Sequence, residues 1–428
     1  MLEMFPNMNR LLGNNISLLP LPPDCVILPS KDNRTNQIAA EKIRILSKPT
    51  CGAKYNVFTD YMATQLGMRL NPAFPRRICV SDSVISNIGL ESRLPGHTKG
   101  VNSLHFSSTG SELVSCSDDL NVIIWDWQNK RKRLIFKTDH EIIVTQAKIL
   151  PAGLSVVTSC YDGQIRYKYL TPSGDSPCSL LLLQHRGSVH KISLVSDSPS
   201  LVLTAGEDGQ IFAVDLRNQN PLKLLLLENR KGIKVPIYSI QSNPGNGQQF
   251  CVTGRDQYLR IYDLRMVRIR QPLISYCPPD LTNCDMETNP NSAVFSNNGS
   301  EILISYDFLG HTDKNIYLWN TRSPTASPPQ HIYRSYRDSP TINFYGENSE
   351  FILAGSNDAY AGVNSGDIFF WSKEGEGVVK VVPGDSHGIV RSVEVHPSLP
   401  VIASSGVDND VKIWSPYRDK QHTTEDEG

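Results

Sequence analysis

A chain of 428 residues with 42 Lys and Arg against 43 Asp and Glu, net charge −1, has no overall field to draw it to nucleic acid or an acidic membrane. Its nine cysteines, odd in number and without CxxC spacing, argue against a disulfide framework or zinc ribbon and for reduced thiols inside a cell. The longest apolar runs, Leu180 to Leu183 and Leu224 to Leu227, are far too short to span a bilayer.

In chain order, residues 1–87 read as an N-terminal extension. Leu11 to Leu21 imitates a signal peptide only superficially, because Asn14, Asn15 and Pro20 interrupt it and no small-residue cleavage site stands out. Pro20, Pro22, Pro23 and Pro29 deny a helix and predict an extended stretch over Leu18 to Pro29. Within Asn36 to Leu46, Ile38, Ala39, Ile43 and Leu46 recur at helical spacing, with Glu41, Lys42 and Arg44 on other faces. That segment is predicted to be a short amphipathic helix that lies on the main domain or docks into a partner.

Residues 88–416 carry one pattern seven times: a short apolar strand, a polar turn closing on Asp, and a second strand ending in Trp or a substitute. In the first copy, Leu113 to Asp119 leads to Val122, Ile123, Ile124, Trp125 and Asp126; in the last, Ile402 to Asp408 leads to Val411, Lys412, Ile413 and Trp414. The intervening end positions are Lys168, Val214, Tyr262, Trp319 and Trp371. A repeat of roughly 40 to 50 residues is the mark of a propeller or solenoid, and it accommodates four short strands with their turns. Segments such as Ile211 to Val214 and Ile316 to Trp319 are rich in β-branched and aromatic residues, and no helical period competes with them. The fold class predicted is therefore all-β, a seven-bladed propeller in which blades cover one another's faces. The dozen or so polar residues after Trp414 cannot supply the last blade with a fourth strand. Ile88 to Leu94, unclaimed by the first repeat, is predicted to fill that place and shut the ring, so that its deletion opens the propeller. Residues 417–428 read as a polar disordered tail.

Motifs for catalysis are missing: there is no GxxxxGK[ST], no GxSxG and no HExxH. His185 and His190 stand five apart without a third metal ligand in view, and read as surface or capping histidines. Lys130, Arg131, Lys132 and Arg133 form a basic turn, read as a solvated hairpin, a nuclear import signal or a phosphate patch. The chain is expected to be no enzyme and to need no cofactor or metal, although a fold alone does not settle function.

Surface features are more informative. Asp215, Leu216, Arg217 follow Val214; Asp263, Leu264, Arg265 follow Tyr262; Asn320, Thr321, Arg322 are a weaker version after Trp319. Each Arg lies where a third strand ends, and its planar fork suits carboxylates and carbonyls of a partner or, alternatively, the local Asp of its own turn. Insertions fall at the turns between second and third strands: Asp307 to Thr312 in blade 5 and Ala359 to Ser365 in blade 6. Strand alternation places them on the face opposite the arginines, and Phe308, His311 and Tyr360 are the candidate substrate- or partner-binding residues there, with loop drift as the plain alternative.

Gly96, His97, Ser115, Asp119, Trp125 and Asp126 resemble the signature of WD-repeat propellers. The resemblance implies buried hydrogen-bond chains through His97, Ser115, Asp119 and Trp125 in the first blade and His387, Ser404, Asp408 and Trp414 in the last, with different networks or none between. The Trp-Asp-x-Arg pattern resembles the docking box of substrate receptors of cullin-4 RING ubiquitin ligases. Residues 90–416 are similar to the factor-eight group of cullin-4-associated WD-repeat receptors, including Ala205 to Asp208, Gly254 to Gln257 with Arg260 to Asp263, and Leu399 to Trp414. That likeness implies a cytoplasmic and nuclear receptor. Arg217, Arg265, Asp215 and Asp263, with Arg322, would bind the damaged-DNA-binding adaptor, and another surface would hold the protein to be ubiquitinated. A scaffold for another assembly, such as a chromatin or trafficking complex, is the alternative.

Overall fold

The computed structural model describes residues 82–416, apart from 152, 154, 172–178, 219, 230–231, 268–270, 282–287, 309–313, 326, 336–337, 358–365 and 376. The extended stretch, the amphipathic helix and the tail expected from the sequence lie outside the described residues. No helix among the described residues is long and apolar enough to cross a membrane.

Four-stranded antiparallel sheets, seven in number, make up the fold. Within blade 1 the strands run outward from the hub as Val101–Phe106, Leu113–Ser117, Asn121–Asp126 and Arg131–Lys137. Burial follows that order. The second strands are covered on both faces, and Leu113–Ser117, Ser155–Cys160 and Ile402–Gly406 are buried at every residue. Such strands read as unbroken runs of apolar and small residues, with no polar alternation. The outermost Arg131–Lys137 is nearly all solvated, with Phe136 turned inward.

The core is not one mass but seven apolar layers, each shared by two adjacent blades. Val114, Cys116, Val122 and Ile124 of blade 1 meet Val144, Ala147, Ile149 and Val156 of blade 2. Tyr276 of blade 4 stacks at 5.6 Å on Trp319 of blade 5. The seventh layer joins Val411 and Ile413 to Leu104, Ile123 and Trp125, uniting the two ends of the repeat array.

Closure is made by Gly89–Pro95, which adds to the last blade antiparallel to Asp410–Ser415, Gly89 opposite Ser415 and Pro95 opposite Asp410. Ile88, expected in this strand, instead packs with Ile85 of the short helix Asp82–Asn87 into the layer between blades 6 and 7. The Lys380 ammonium donates to the carbonyls of Ser86 (2.6 Å) and Ile88, fastening the helix to blade 6.

At the hub the innermost strands present one edge to a central channel, and side chains from one blade accept N–H groups from the next. His105 Nδ1 accepts from Ile149 N (3.3 Å), Gln146 Oε1 from Ile192 N (2.7 Å) and Ser193 Oγ from Ser242 N (2.7 Å). Gln241 Oε1 accepts from Phe295 N (2.7 Å), and Ser392 Oγ closes the circle onto Leu104 N (3.2 Å). An unmade bond at a buried amide costs about 1–3 kcal/mol, so these side chains hold neighbouring blades in register.

Hairpins between second and third strands close on Asp followed by a left-handed residue: Gly163 (φ 80°) in blade 2, Gly209 (φ 74°) in blade 3 and Leu120 (φ 66°) in blade 1. A Cβ on Gly163 would sit 2.6 Å from the His185 carbonyl and 2.8 Å from that of Gly187, whereas on Gly209 the nearest atoms are 3.2 Å away. Gly163→Ala is therefore expected to cost about 2–4 kcal/mol, by left-handed strain plus overpacking, and more than Gly209→Ala. Urea midpoints of the two variants check the order. Removing Gly89–Pro95 bares the edge of Asp410–Ser415, and the cooperative thermal transition seen by circular dichroism is expected to disappear.

Candidate protein-docking site

The arginine turns are built from the end of the third strand outward. Strand Gln210–Asp215 ends on Asp215, whose Oδ1 accepts from Arg217 N at 3.0 Å, while its carbonyl accepts from Asn218 N at 3.2 Å. Leu216 N donates to Ser200 O at 2.9 Å, which ties the turn to the one beside it. Blade 4 repeats this: Asp263 Oδ1 accepts from Arg265 N (2.9 Å), and Leu264 N donates to Gln248 O (2.7 Å). The guanidinium then folds back as a fork. Arg217 gives Nε–H to Asp215 Oδ1 (3.0 Å) and Nη2–H to Oδ2 (2.8 Å); Arg265 does the same to Asp263, at 3.0 and 2.6 Å.

Of the two alternatives, the structure shows the local one: each guanidinium is bonded to the Asp of its own turn. Each Arg staples its own turn, yet the side chains remain 73% and 69% exposed. Two of the five guanidinium N–H groups are spent on Asp, and the rest have no partner among the described residues. The hydrogen bond from Arg217 holds the Asp215 carboxyl below the usual range, and that from Arg265 does so for Asp263. Arg322 differs. Asn320 Oδ1 accepts its backbone N–H (2.9 Å), but an amide offers no second oxygen for a fork, and the side chain is exposed without a partner among the described residues. Leu222 (64% exposed), Met266 (48%) and Leu273 (41%) surround the forked turns with apolar surface. Sequence reading missed them; the signal was Met266 directly after Arg265, while Leu222, five residues past Arg217, stands near the start of an outer strand and gave none.

On the opposite face, the strand Glu301–Phe308 ends at Phe308. The Phe308 side chain, His311 and Tyr360 lie outside the described residues. The described part of that face carries exposed Ile142, Ile143, Tyr161 and Ile233. His190 bonds Glu207 (2.8 Å) between the rings of Tyr161 and Tyr238.

The histidine networks are structural. In blade 1, His97 Nδ1 lies 3.1 Å from Asp119 and Nε2 2.7 Å from Ser115 Oγ, which also accepts from Trp125 Nε1 (2.8 Å). Two further networks went unread. His140 joins Asp162 (3.2 Å) and Thr158 Oγ1 (2.8 Å), and His185 joins Asp208 (3.2 Å) and Thr204 Oγ1 (2.9 Å). His185 is therefore a buried network member and not a surface histidine; Thr in the second strand, five residues before a Gly, was the available clue. Cys160 with His140 and Asp162 brings possible ligand atoms within 4.8 Å of one another. Both ring nitrogens of His140 are engaged, and burial pushes the Cys160 thiol up to about 12, so the cluster offers neither a free imidazole nitrogen nor a thiolate. In the basic turn, Arg133 pairs with Glu112, and the Lys132 ammonium lies 6.0 Å from the Trp125 ring centre.

The last blade corrects the sequence reading. Trp414 Nε1 donates to Ser404 Oγ (2.8 Å), but the His387 side chain is 80% exposed and its ring bonds only Asp408 (2.8 Å) among the described residues. The loop into blade 7 is one residue longer than that into blade 1. Ser386 N donates to Asp408 Oδ2 (3.0 Å) as Thr98 N does to Asp119 Oδ2 (2.9 Å), so Asp385 occupies the place of His97. Two carboxyls then face each other, with Lys412 bonding Asp408 (2.7 Å) and Asp410 (2.8 Å).

The end repeats, residues 89–126 and 377–415, match the family model "WD domain, G-beta repeat". Those segments hold the two network tryptophans that bond a serine. With seven such sheets closed into a ring, the protein is a WD-repeat propeller. Human "WD and tetratricopeptide repeats protein 1" is 29% identical over 230 residues, 53% of this chain and 34% of that protein. "Protein ALTERED SEED GERMINATION 2" of Arabidopsis thaliana is 26% identical over 297 residues (59% and 38%), and human "DDB1- and CUL4-associated factor 6" is 24% identical over 294 (64% and 33%). The matched part spans about a third of the length of these curated relatives.

Burial, and then Asp408, push the Asp385 carboxyl up; Asp408, although buried, is held far down by hydrogen bonds from Asp385 and Lys412. Asp385 thus stabilises the fold while protonated, and its contribution is lost as pH rises through its folded value; that of Asp408 is lost as pH falls. Asp385→Asn, neutral at every pH, is expected to melt above the parent in alkaline buffer and to lose that advantage as pH falls through the raised folded value of Asp385. A series of thermal melts from alkaline to acidic pH checks this, and an unchanged difference would remove the shared-proton account.

Proposed function

We propose that this propeller is a non-catalytic substrate receptor, joining target proteins to the damaged-DNA-binding adaptor of a cullin-4 RING ubiquitin ligase. The observation that carries the reading is the pair of forked, solvent-facing guanidiniums on adjacent blades, Arg217 on Asp215 and Arg265 on Asp263. Each fork is preorganised, so a partner that supplies carbonyl or carboxylate oxygens orders no further side chain. Arg322 adds a third cation on the same face. The name of one relative, "DDB1- and CUL4-associated factor 6", supports the partner, and the motifs that resemble the factor-eight group support the subgroup. Phe308, His311 and Tyr360 on the opposite face would contribute to target recognition, keeping target and adaptor apart. The working compartments are the cytoplasm and nucleus, where such ligases act.

The test is co-purification of the adaptor with the tagged chain from cells. Arg217→Ala with Arg265→Ala is expected to reduce adaptor recovery by about tenfold or more, since alanine in place of a central Arg costs about 2 kcal/mol or more. The melting temperature should stay close to that of the parent, because exposed ion pairs add little stability. An adaptor that is absent from the parent's preparation, or that is retained by the double variant, would refute the proposal.

A further inference from the structure

The central channel, about 980 Å³, is lined by the innermost strands. Counting along those strands sorts its polar side chains into two levels. His105, Lys148, Gln241 and Glu394 are each the fifth residue of Val101–Phe106, Val144–Ile149, Ile237–Ser242 and Val390–Val395. Gln146 and Lys191 are each the third of theirs. Two residues of strand separate the levels, about 7 Å.

What these groups offer the lumen is set by the bonds between blades. His105 Nδ1 and the Oε1 atoms of Gln146 and Gln241 are consumed as acceptors of backbone N–H. The proton of His105 must then sit on Nε2, and burial drives its pKa down to about 3, so the ring is neutral. Left over are donors: His105 Nε2–H and the amide N–H groups of both glutamines, none with a partner among the described residues. Lys191 donates one N–H to Ser292 Oγ (2.6 Å). Lys148 makes no hydrogen bond or ion pair among the described residues, and Glu394, which acts on it through space, does not reach ion-pair distance. Burial and the second ammonium lower Lys191 to about 8, and burial raises Glu394 to about 7.

We propose that the channel binds a small oxyanion between Lys148 and Lys191, with the amide N–H groups of Gln146 and Gln241 and His105 Nε2–H completing its shell. Glu347 and Arg391, the latter paired with Asp118, also line the channel; besides them, two ammoniums and three neutral donors share the lumen with one carboxylate, Glu394, and an oxyanion satisfies that excess where water satisfies it only in part. Phosphate and carboxylate share this chemistry.

The experiment melts the full chain with increasing sodium phosphate and, separately, sodium acetate, each balanced with sodium chloride to constant ionic strength. A saturable rise in melting temperature is expected with at least one of them, because a ligand of the folded state alone stabilises it by mass action. Lys148→Met and Lys191→Met should each raise the half-saturating concentration about tenfold or more. Glu394→Gln, which removes the opposing charge and keeps the shape, should lower it. The control Lys223→Met, on an outer strand, should leave it unchanged. No saturable rise with either anion, or a rise that both channel-lysine variants retain, overturns the proposal.

Discussion

A sheet of four strands has two faces to bury and two edges to satisfy, and a ring of such sheets meets all four demands only if it closes. The faces are covered by seven apolar layers, each made from two blades, so no blade holds a core of its own. In blades 1 to 4 and in blade 7 the hub edges are bonded by side chains that reach in one rotational sense to the next blade, as His105 does to Ile149 and Gln146 to Ile192. The rim is where strand Gly89–Pro95 matters, because it turns an open array into a closed one and brings Leu94 into the layer between the last and first blades.

The same economy explains the two kinds of buried polar chain. In the first three blades a histidine spans a hydroxyl and a carboxylate, with or without an indole, and every polar atom of the ring finds a partner. Blade 4 reaches a similar end through Arg260, buried and bidentate on Asp256 at 3.0 and 2.5 Å. Blade 7 uses two carboxyls and a lysine. What these blades share is a carboxylate at the hairpin whose oxygens collect N–H donors, and the group delivered to it varies. The Arg217 and Arg265 turns follow the same logic on the outside of the protein, where the fork is left in water.

Much of this was legible because strand chemistry and the spacing of Asp to the third-strand end are local. Seven sheets, the strand that completes the last of them and the face carrying Arg217 and Arg265 all follow from counting. What was not legible depended on loop length or on partners distant in sequence. His387 resembled His97 in the letters around it, but one extra residue in the loop gives the buried place to Asp385. His185 looked peripheral because Val214 stands where a tryptophan would have announced a network. Lys148 and Lys191 gave no sign at all, since a channel residue is distinguished only by which strand is innermost and by its level along it.

The antiparallel register of the closing strand has one more consequence. Gly89 lies opposite Ser415, at the end of a third strand, and third strands end on the side of the ring that bears Arg217 and Arg265. Gly89 and Ser415, paired ends of the last blade's outer and third strands, therefore share that one rim. A label attached at either of these two residues would report on events at the arginine side of the ring.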